Sequence, residues 1–305
     1  MRKVIALTAA AGLLLALAGC TVNAPSGACE PVAAGEASKL VTATGAFDAD
    51  PKAEFPTPLA SDTLEVSVLD TGDGDTIYEG DFVFLTYTAY DPATGQQASE
   101  TASASVIAGR GSDAEKLFEC LTVGSRIAAL LPATEATDTA TATATSLLVI
   151  DIDEAFTSKA TGRVEVPQQG MPSIVTAPDG TPGFTILNED PPAALKYSTL
   201  ITGDGEKVAT GDQVLLQYSV VDWSTKTVVE STWTDEQYPQ ARKVSKFDST
   251  TGEGVSAAAL TALTGATVGS QVLVVMPPST WAGSDIQATE GATLVVVYDI
   301  LAILE

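Results

Sequence analysis

GDGEKVATGDQVLLQY, Gly203 to Tyr218, has an echo earlier in the chain: GDGDTIYEGDFVFLTY, Gly72 to Tyr87. The two are 131 residues apart (203 − 72), and Asp48/Asp179, Pro51/Pro182 and Leu64/Leu195 keep the same offset. Further on, Val123-Gly124-Ser125 returns as Val268-Gly269-Ser270 at 145 (269 − 124), and Asp151-Ile152 as Asp299-Ile300 at 148 (299 − 151). An offset that changes only between motifs is what loop insertions make of a duplicated domain. A chain of 305 residues is long enough for two domains, each burying its own core.

Within each copy a Gly-Asp turn precedes a β-rich stretch, 81–87 and 212–218. Residues 125–131 and 270–276 are similar, and 147–152 and 294–300 close the copies. Between them, 113–121 and 255–263 place apolar residues at helical spacing. One short helix among five or six strands predicts an α+β fold, an antiparallel sheet wrapped around that helix. Residues 158–172, with Pro167, Gly170 and Pro172, read as the linker, which leaves 37–157 and 173–305 as the two domains.

At the N-terminus, Arg2 and Lys3 precede an apolar run from Val4 to Ala18, and Leu17-Ala18-Gly19-Cys20 follows the pattern of a bacterial lipobox. Residues 1–19 are expected to be a signal peptide and Cys20 to carry a diacylglycerol, tethering the protein to the extracytoplasmic face of a membrane. Thr21 to Glu36 completes a flexible spacer (20–36). Outside the reducing cytosol, with Cys20 lipidated, Cys29 and Cys120 are the two remaining thiols and are expected to form a disulfide.

Composition narrows the chemistry. The formal net charge is −24, and near −26 once the leader with its two basic residues is removed (13 basic against 39 acidic). Such a surface repels phosphate backbones, which argues against nucleic acid as a partner. With no histidine anywhere, Ser-His-Asp and Cys-His catalysis and imidazole metal sites are excluded, and three cysteines cannot make a four-cysteine zinc site. No phosphate loop or dinucleotide fingerprint is present, so no cofactor is expected. The remaining tools are shape, apolar contact and hydrogen bonds.

The order of signals resembles the FKBP-type peptidyl-prolyl isomerases, and the second copy carries the resemblance best. Gly203 to Tyr218 is similar to the family's opening "GDG…GD.V.V.Y", Thr267-Val268-Gly269 to its turn after the helix, Met276-Pro277-Pro278-Ser279 to its "IPP." segment, and Glu290 to Ile300 to its closing strand. The resemblance implies a pocket for the proline of a polypeptide substrate. Tyr218 falls on the first-strand tyrosine, Tyr298 on the closing-strand phenylalanine, Val229-Glu230 on Phe-Asp, Phe247 on the pocket phenylalanine and Val255 on the valine that opens the helix. Where the family has a floor tryptophan the chain offers Ala259 or Leu260, and Trp281-Ala282-Gly283 replaces Ala-Tyr-Gly at the flap. Trp281, on a loop after two prolines, reads as a binding aromatic. Tyr218 and Tyr298 can equally be read as core aromatics with satisfied hydroxyls.

The first copy keeps Tyr87 but has Arg110 in place of the valine, a lone Pro132, and an Ala/Thr-rich flap from Ala133 to Ser146. That copy is expected to be structural, and the catalytic set to be Tyr218, Glu230, Phe247, Val255, Trp281 and Tyr298. Replacing Cys20 with Ala is expected to shift the protein from the membrane to the soluble fraction, or leave it held by an uncleaved leader. Wild-type protein that is wholly soluble, with a free amine at another first residue, would refute lipidation.

Overall fold

The computed structural model describes residues 31–47, 49–109, 115–134, 144–166, 168–234 and 238–304. The leader, Cys20, Cys29, Asp48, Arg110, Pro167 and most of the Ala/Thr-rich flap lie outside them.

Nearly all the regular structure is antiparallel sheet. A small hairpin comes first, β1 (Thr42–Thr44) with β2 (Lys52–Glu54). Next come β3 (Glu65–Asp70), β4 (Phe82–Tyr90), β5 (Ala102–Ile107), β6 (Arg126–Leu131) and β7 (Ser146–Phe156), which assemble in the order β3-β6-β7-β4-β5. After β8 (Arg163–Val164), a second hairpin pairs β9 (Ser173–Thr176) with β10 (Pro182–Thr185). The last group is β11 (Lys196–Thr202), β12 (Gln213–Asp222), β13 (Val228–Ser231), β14 (Gln240–Lys243), α1 (Ala257–Leu263), β15 (Gln271–Met276), α2 (Pro278–Trp281) and β16 (Leu294–Leu304). Its sheet runs β8-β11-β15-β16-β12-β13, with β14 also paired to β12. Set β11, β15, β16 and β12 against β3, β6, β7 and β4, and the strand order of the two repeats is the same.

The hydrogen bonds repeat as well. In the first copy the Gly72 N–H donates to Ser125 Oγ (2.9 Å) while Thr122 Oγ1 donates to the Gly72 carbonyl (2.9 Å). In the second, Gly203 N–H donates to Ser270 Oγ (2.9 Å) and Thr267 Oγ1 to the Gly203 carbonyl (2.7 Å). A Cβ at Gly72 would lie 2.1 Å from the Val123 carbonyl oxygen, and one at Gly203 would lie 2.0 Å from that of Val268. The Gly-Asp-Gly motif is therefore glycine because two backbones touch there.

Each sheet is covered on both faces, which is why its central strands read as continuous apolar runs. In the second repeat Val272, Val274 and Met276 of β15 and Leu294, Val296, Tyr298 and Ile300 of β16 face α1, which buries Ala258, Ala259, Ala262 and Leu263. Leu273, Val275, Val295 and Val297 point the other way, under Met171, Ile186, Ile174 and Phe184 at the β9–β10 hairpin. The first repeat does the same with Ala128, Leu130, Leu147 and Val149 under the β1–β2 hairpin. Ser256 caps α1 by accepting the Ala259 N–H (3.2 Å).

The helix expected over 113–121 is a correction. Among the described residues that segment holds only a 3-10 turn, Glu115–Phe118. Cys120 N–H donates to the Ile77 carbonyl (2.9 Å) and Ile77 N–H to Leu121 (2.8 Å), so the chain is drawn off against its neighbour before a helix can extend. Cys120 sits at φ 66, the place taken by Gly265 (φ 87) in the second repeat. It is disulfide-bonded, and its partner lies outside the described residues. Residues 158–172 are not free chain throughout. β8 pairs with β11, and Ala160 N–H donates to Asp299 (2.8 Å).

Asp299 belongs to a buried cross-strand pair that has diverged between the repeats. In the first, Arg126 opposes Asp151 and donates Nε to Oδ1 (2.6 Å) and Nη2 to Oδ2 (2.7 Å), a bidentate ion pair. In the second, Gln271 opposes Asp299 and donates Nε2 to Oδ1 (2.8 Å). Without a cation, burial pushes the Asp299 carboxyl up to about 6, against the opposing pull of the Ala160 and Gln271 donors. A carboxyl whose folded pKa exceeds its unfolded value makes the native state bind the extra proton, so stability falls as pH rises from about 4 to about 6 and levels off above that. Urea midpoints across pH should show wild type losing about 2–3 kcal/mol relative to Asp299→Asn over that window. Parallel curves for the two proteins would contradict this account.

Candidate functional site

The pocket of the second repeat lies between the helical side of its sheet and the segment after α2. It is lined by Leu216, Tyr218 and Val220 of β12, Glu230 of β13, Arg242 of β14, Val255 and Ser256 before α1, Asp285 and Ile286, and Tyr298 of β16. Alternation along β12 puts 216, 218 and 220 on one face, and cross-strand pairing sets Tyr218 opposite Tyr298, rings 5.9 Å apart and tilted by 46°.

Tyr218 is held at both ends. Its N–H donates to Thr232 Oγ1 (2.8 Å) and its carbonyl accepts the Thr232 N–H (2.9 Å). Its hydroxyl donates to Glu230 Oε1 (2.5 Å) and accepts from Arg242 Nη2 (3.3 Å). The same Nη2 reaches Gln240 Oε1 (2.8 Å), while Nη1 pairs with Asp285 Oδ2 (3.2 Å). Burial, then the Glu230 bond, pushes the Tyr218 phenol well above its ordinary value; burial, then the neighbouring Tyr218, does the same for Tyr298. Both stay protonated at any working pH. Tyr298 Oη has no hydrogen-bond partner among the described residues, so it is a donor without an internal acceptor.

Four of the six residues picked from the sequence therefore meet at one pocket: Tyr218, Glu230, Val255 and Tyr298. Phe247 does not reach its wall. It is half-buried on the approach to α1, where its N–H donates to the Val255 carbonyl (3.1 Å). Trp281 corrects the reading of an exposed binding aromatic. It ends α2, is only 7% exposed, packs in the core with α1 and β16, and donates Nε1–H to the Ala292 carbonyl (2.9 Å). An indole with its one donor satisfied is more stable inside than in water. Sequence reasoning missed Arg242, Gln240 and Asp285. Their only signal is polar residues in short, weakly patterned segments, which marks no site without knowing which strand they flank.

The cavity itself is small, about 30 Å³, room for a water or two and not for a pyrrolidine ring. The Arg242–Asp285 ion pair lies among its lining residues, so anything larger than water fits only if these groups move. In the first repeat Ile150 stands opposite Tyr87, and the paired phenols are gone. Because Trp281 is core, Trp281→Ala is expected to cost about 3–5 kcal/mol in urea-midpoint stability. A change within about 0.5 kcal/mol would restore the surface reading.

No family model and no curated protein matches the sequence. Solved structures do resemble the chain. The three FKBP domains of wheat FKBP73 match with 16% identity and a TM-score of 0.32, over 79% of this chain and 94% of that one. A peptidyl-prolyl cis-trans isomerase from Pseudomonas syringae pv. tomato matches with 19% identity and a TM-score of 0.29, over 36% of this chain and 76% of its own. The putative peptidyl-prolyl cis-trans isomerase FKBP12 from Mycobacterium tuberculosis matches with 24% identity and a TM-score of 0.28, over 38% and 88%. What the chain is similar to, among solved structures, is FKBP-type peptidyl-prolyl isomerases, multi-domain ones included.

Proposed function

We propose that the chain is a lipid-anchored peptidyl-prolyl isomerase built from two FKBP-like domains, 37–157 and 173–305, in which the second works on proline-containing segments of exported proteins. One observation carries the reading: Tyr218, Glu230, Val255 and Tyr298, chosen from the motif resemblance alone, line a single pocket.

The chemistry asks little of such a site. Rotation about an Xaa-Pro bond faces a barrier of roughly 18–20 kcal/mol and breaks no bond. The twisted amide is less polar at its carbonyl than the planar one, so a dry wall of Leu216, Val220, Val255 and the two phenol rings favours it. The Tyr298 hydroxyl is free to donate to a substrate carbonyl. Glu230 and Arg242 hold the Tyr218 ring in place. No base, nucleophile or metal takes part in this scheme. The tether runs from Cys20 through the spacer, and Cys29 is the partner we assign to Cys120.

A second reading, a non-catalytic binding or chaperone lipoprotein, is favoured by the size of the cavity and by Ala259 or Leu260 standing where the family carries a tryptophan floor. The two separate in a proline-isomerisation assay on the mature chain. Wild type should accelerate an Xaa-Pro tetrapeptide, Tyr218→Phe should lower kcat/KM by about tenfold, the worth of one hydrogen bond to a charged group, and Tyr87→Phe should match wild type. No acceleration by the folded wild-type chain would favour the binding module.

A further inference from the structure

The two repeats meet through Phe82, Ile107, Leu215, Leu301 and Ala302, with Phe84, Phe156 and Leu304 packed around them. Two pairs in this contact are at equivalent positions. Leu215 stands 131 residues after Phe84 (215 − 84) and Leu304 stands 148 after Phe156 (304 − 156), the offsets that relate the repeats themselves. Where the two copies offer equivalent residues, the contact is isologous and by itself favours neither side.

Other contacts are one-sided, and one of them reaches toward the pocket. The ring of Phe82 packs 6.2 Å from that of Tyr238, tilted by 38°, while Phe82 is 2% exposed and Tyr238 is 37% exposed. The position equivalent to Phe82 in the second repeat is Gln213 (213 − 82 = 131), with no ring to return the contact. Tyr238 has no counterpart either. The first repeat runs one unbroken strand, β5, beside β4, whereas the second has two short ones, β13 and β14, beside β12. Tyr238 lies two residues before β14, and β14 carries Gln240 and Arg242, two members of the hydrogen-bond set around Tyr218. Among the described residues β14 pairs with β12 along Gln240–Lys243, and its far end is secured by the buried Val244, which is bonded to Gly211 and Asp212, so Tyr238 stands at the other end, beside Gln240.

We propose that the first repeat positions the pocket of the second: Phe82, through Tyr238, holds the edge strand that aims Arg242 at Tyr218 and Asp285. Phe82 and Tyr238 are positioning residues, and the kinetic consequence rests on the isomerase reading. The degenerate copy is then retained for its edge as well as its core. Displacing a group near the reacting centre by about an ångström can cost up to a hundredfold in rate, and a loosened rather than displaced strand costs less, on the order of tenfold.

The test uses the full mature chain as wild type, Phe82→Ala, Tyr238→Ala and the double variant. It reads kcat and KM separately on an Xaa-Pro tetrapeptide and amide hydrogen exchange residue by residue. Each single variant is expected to lower kcat/KM about tenfold, and the double no further than the worse single, because the two residues act through one contact. Exchange should quicken at the amides of Gln240–Lys243 and stay at wild-type rates in β15, which separates positioning from general loosening. Tyr238→Ala removes a partly exposed ring, so it keeps the test readable if Phe82→Ala folds poorly. Unchanged exchange in Gln240–Lys243 in the Tyr238→Ala protein, or additive losses in the double variant, would overturn the proposal. An inactive wild type would sink the isomerase reading alone, with exchange still deciding whether Phe82 holds β14.

Discussion

Everything in each repeat is arranged around one backbone crossing, where Gly72 or Gly203 lies against the carbonyl of Val123 or Val268 with no room for a Cβ. The Thr and Ser hydroxyls of the Thr-Val-Gly-Ser turn bracket the glycine, one donating to its carbonyl and one accepting its N–H. The same turn then starts β6 or β15 and bonds onward: Gly269 N–H reaches the Ile300 carbonyl (2.7 Å) and Ile300 N–H the Ser270 carbonyl (2.9 Å). Three segments far apart in sequence are thereby fixed in register at one point. A one-residue slip would send every apolar side chain of β16 to the wrong face. The second repeat adds a fourth segment, since the N–H groups of Thr161 and Gly162 both donate to Gly269 (3.2 Å each). The connection between the repeats is thus part of the second sheet's own hydrogen bonding.

That crossing also explains which parts of the fold were legible. The motifs that revealed the duplication are the crossing itself, and close backbone approach leaves glycine no substitute. The six central strands were legible because both faces are buried and their apolar runs are long. The β9–β10 hairpin was not, because its strands are four residues each and mostly exposed, with Ile174, Pro182 and Phe184 turned inward. β13 and β14, also four residues each, were missed because strands that short carry little pattern. The helix expected over 113–121 failed differently: apolar spacing there serves Leu117, Phe118 and Leu121 as core plugs on a 3-10 turn, and spacing alone does not distinguish a plug from a helix face.

Divergence between the copies follows what each buried polar position can tolerate. Arg126 reaches past Asp151 to the carbonyls of Gly45 (3.0 Å) and Ala46 (2.7 Å), so it pins the first hairpin to its sheet as well as neutralising the carboxylate. Gln271 is too short for that and carries no charge, and Asp299 turns instead to the Ala160 amide of the connecting segment. One buried carboxylate has therefore exchanged an internal cation for a role in attaching the chain between the repeats. Removing a charge from a buried pair and leaving its partner is ordinarily costly. Here the remaining carboxyl is met by two N–H donors, and its raised pKa lets it fold neutral at mild acidity.

The pocket shows how far resemblance carries and where physical chemistry takes over. Tyr218 and Tyr298 could be placed by motif because a cross-strand pair is fixed by register, and register is fixed by the crossing. Arg242 and Asp285 could not, because they lie outside the central strands. Yet they set the state of the site, since one guanidinium both holds the Tyr218 hydroxyl and reaches across the rim to Asp285. Anything that parts Arg242 from Asp285 therefore disturbs the group that orders the Tyr218 wall. Pocket entry and wall geometry are in that sense one equilibrium, and binding must favour the open arrangement by its own contacts. The two phenol rings and the apolar side chains of β12 offer van der Waals contact to a flat, apolar group, and a tertiary amide, which has no N–H, would leave no buried donor of its own unsatisfied there.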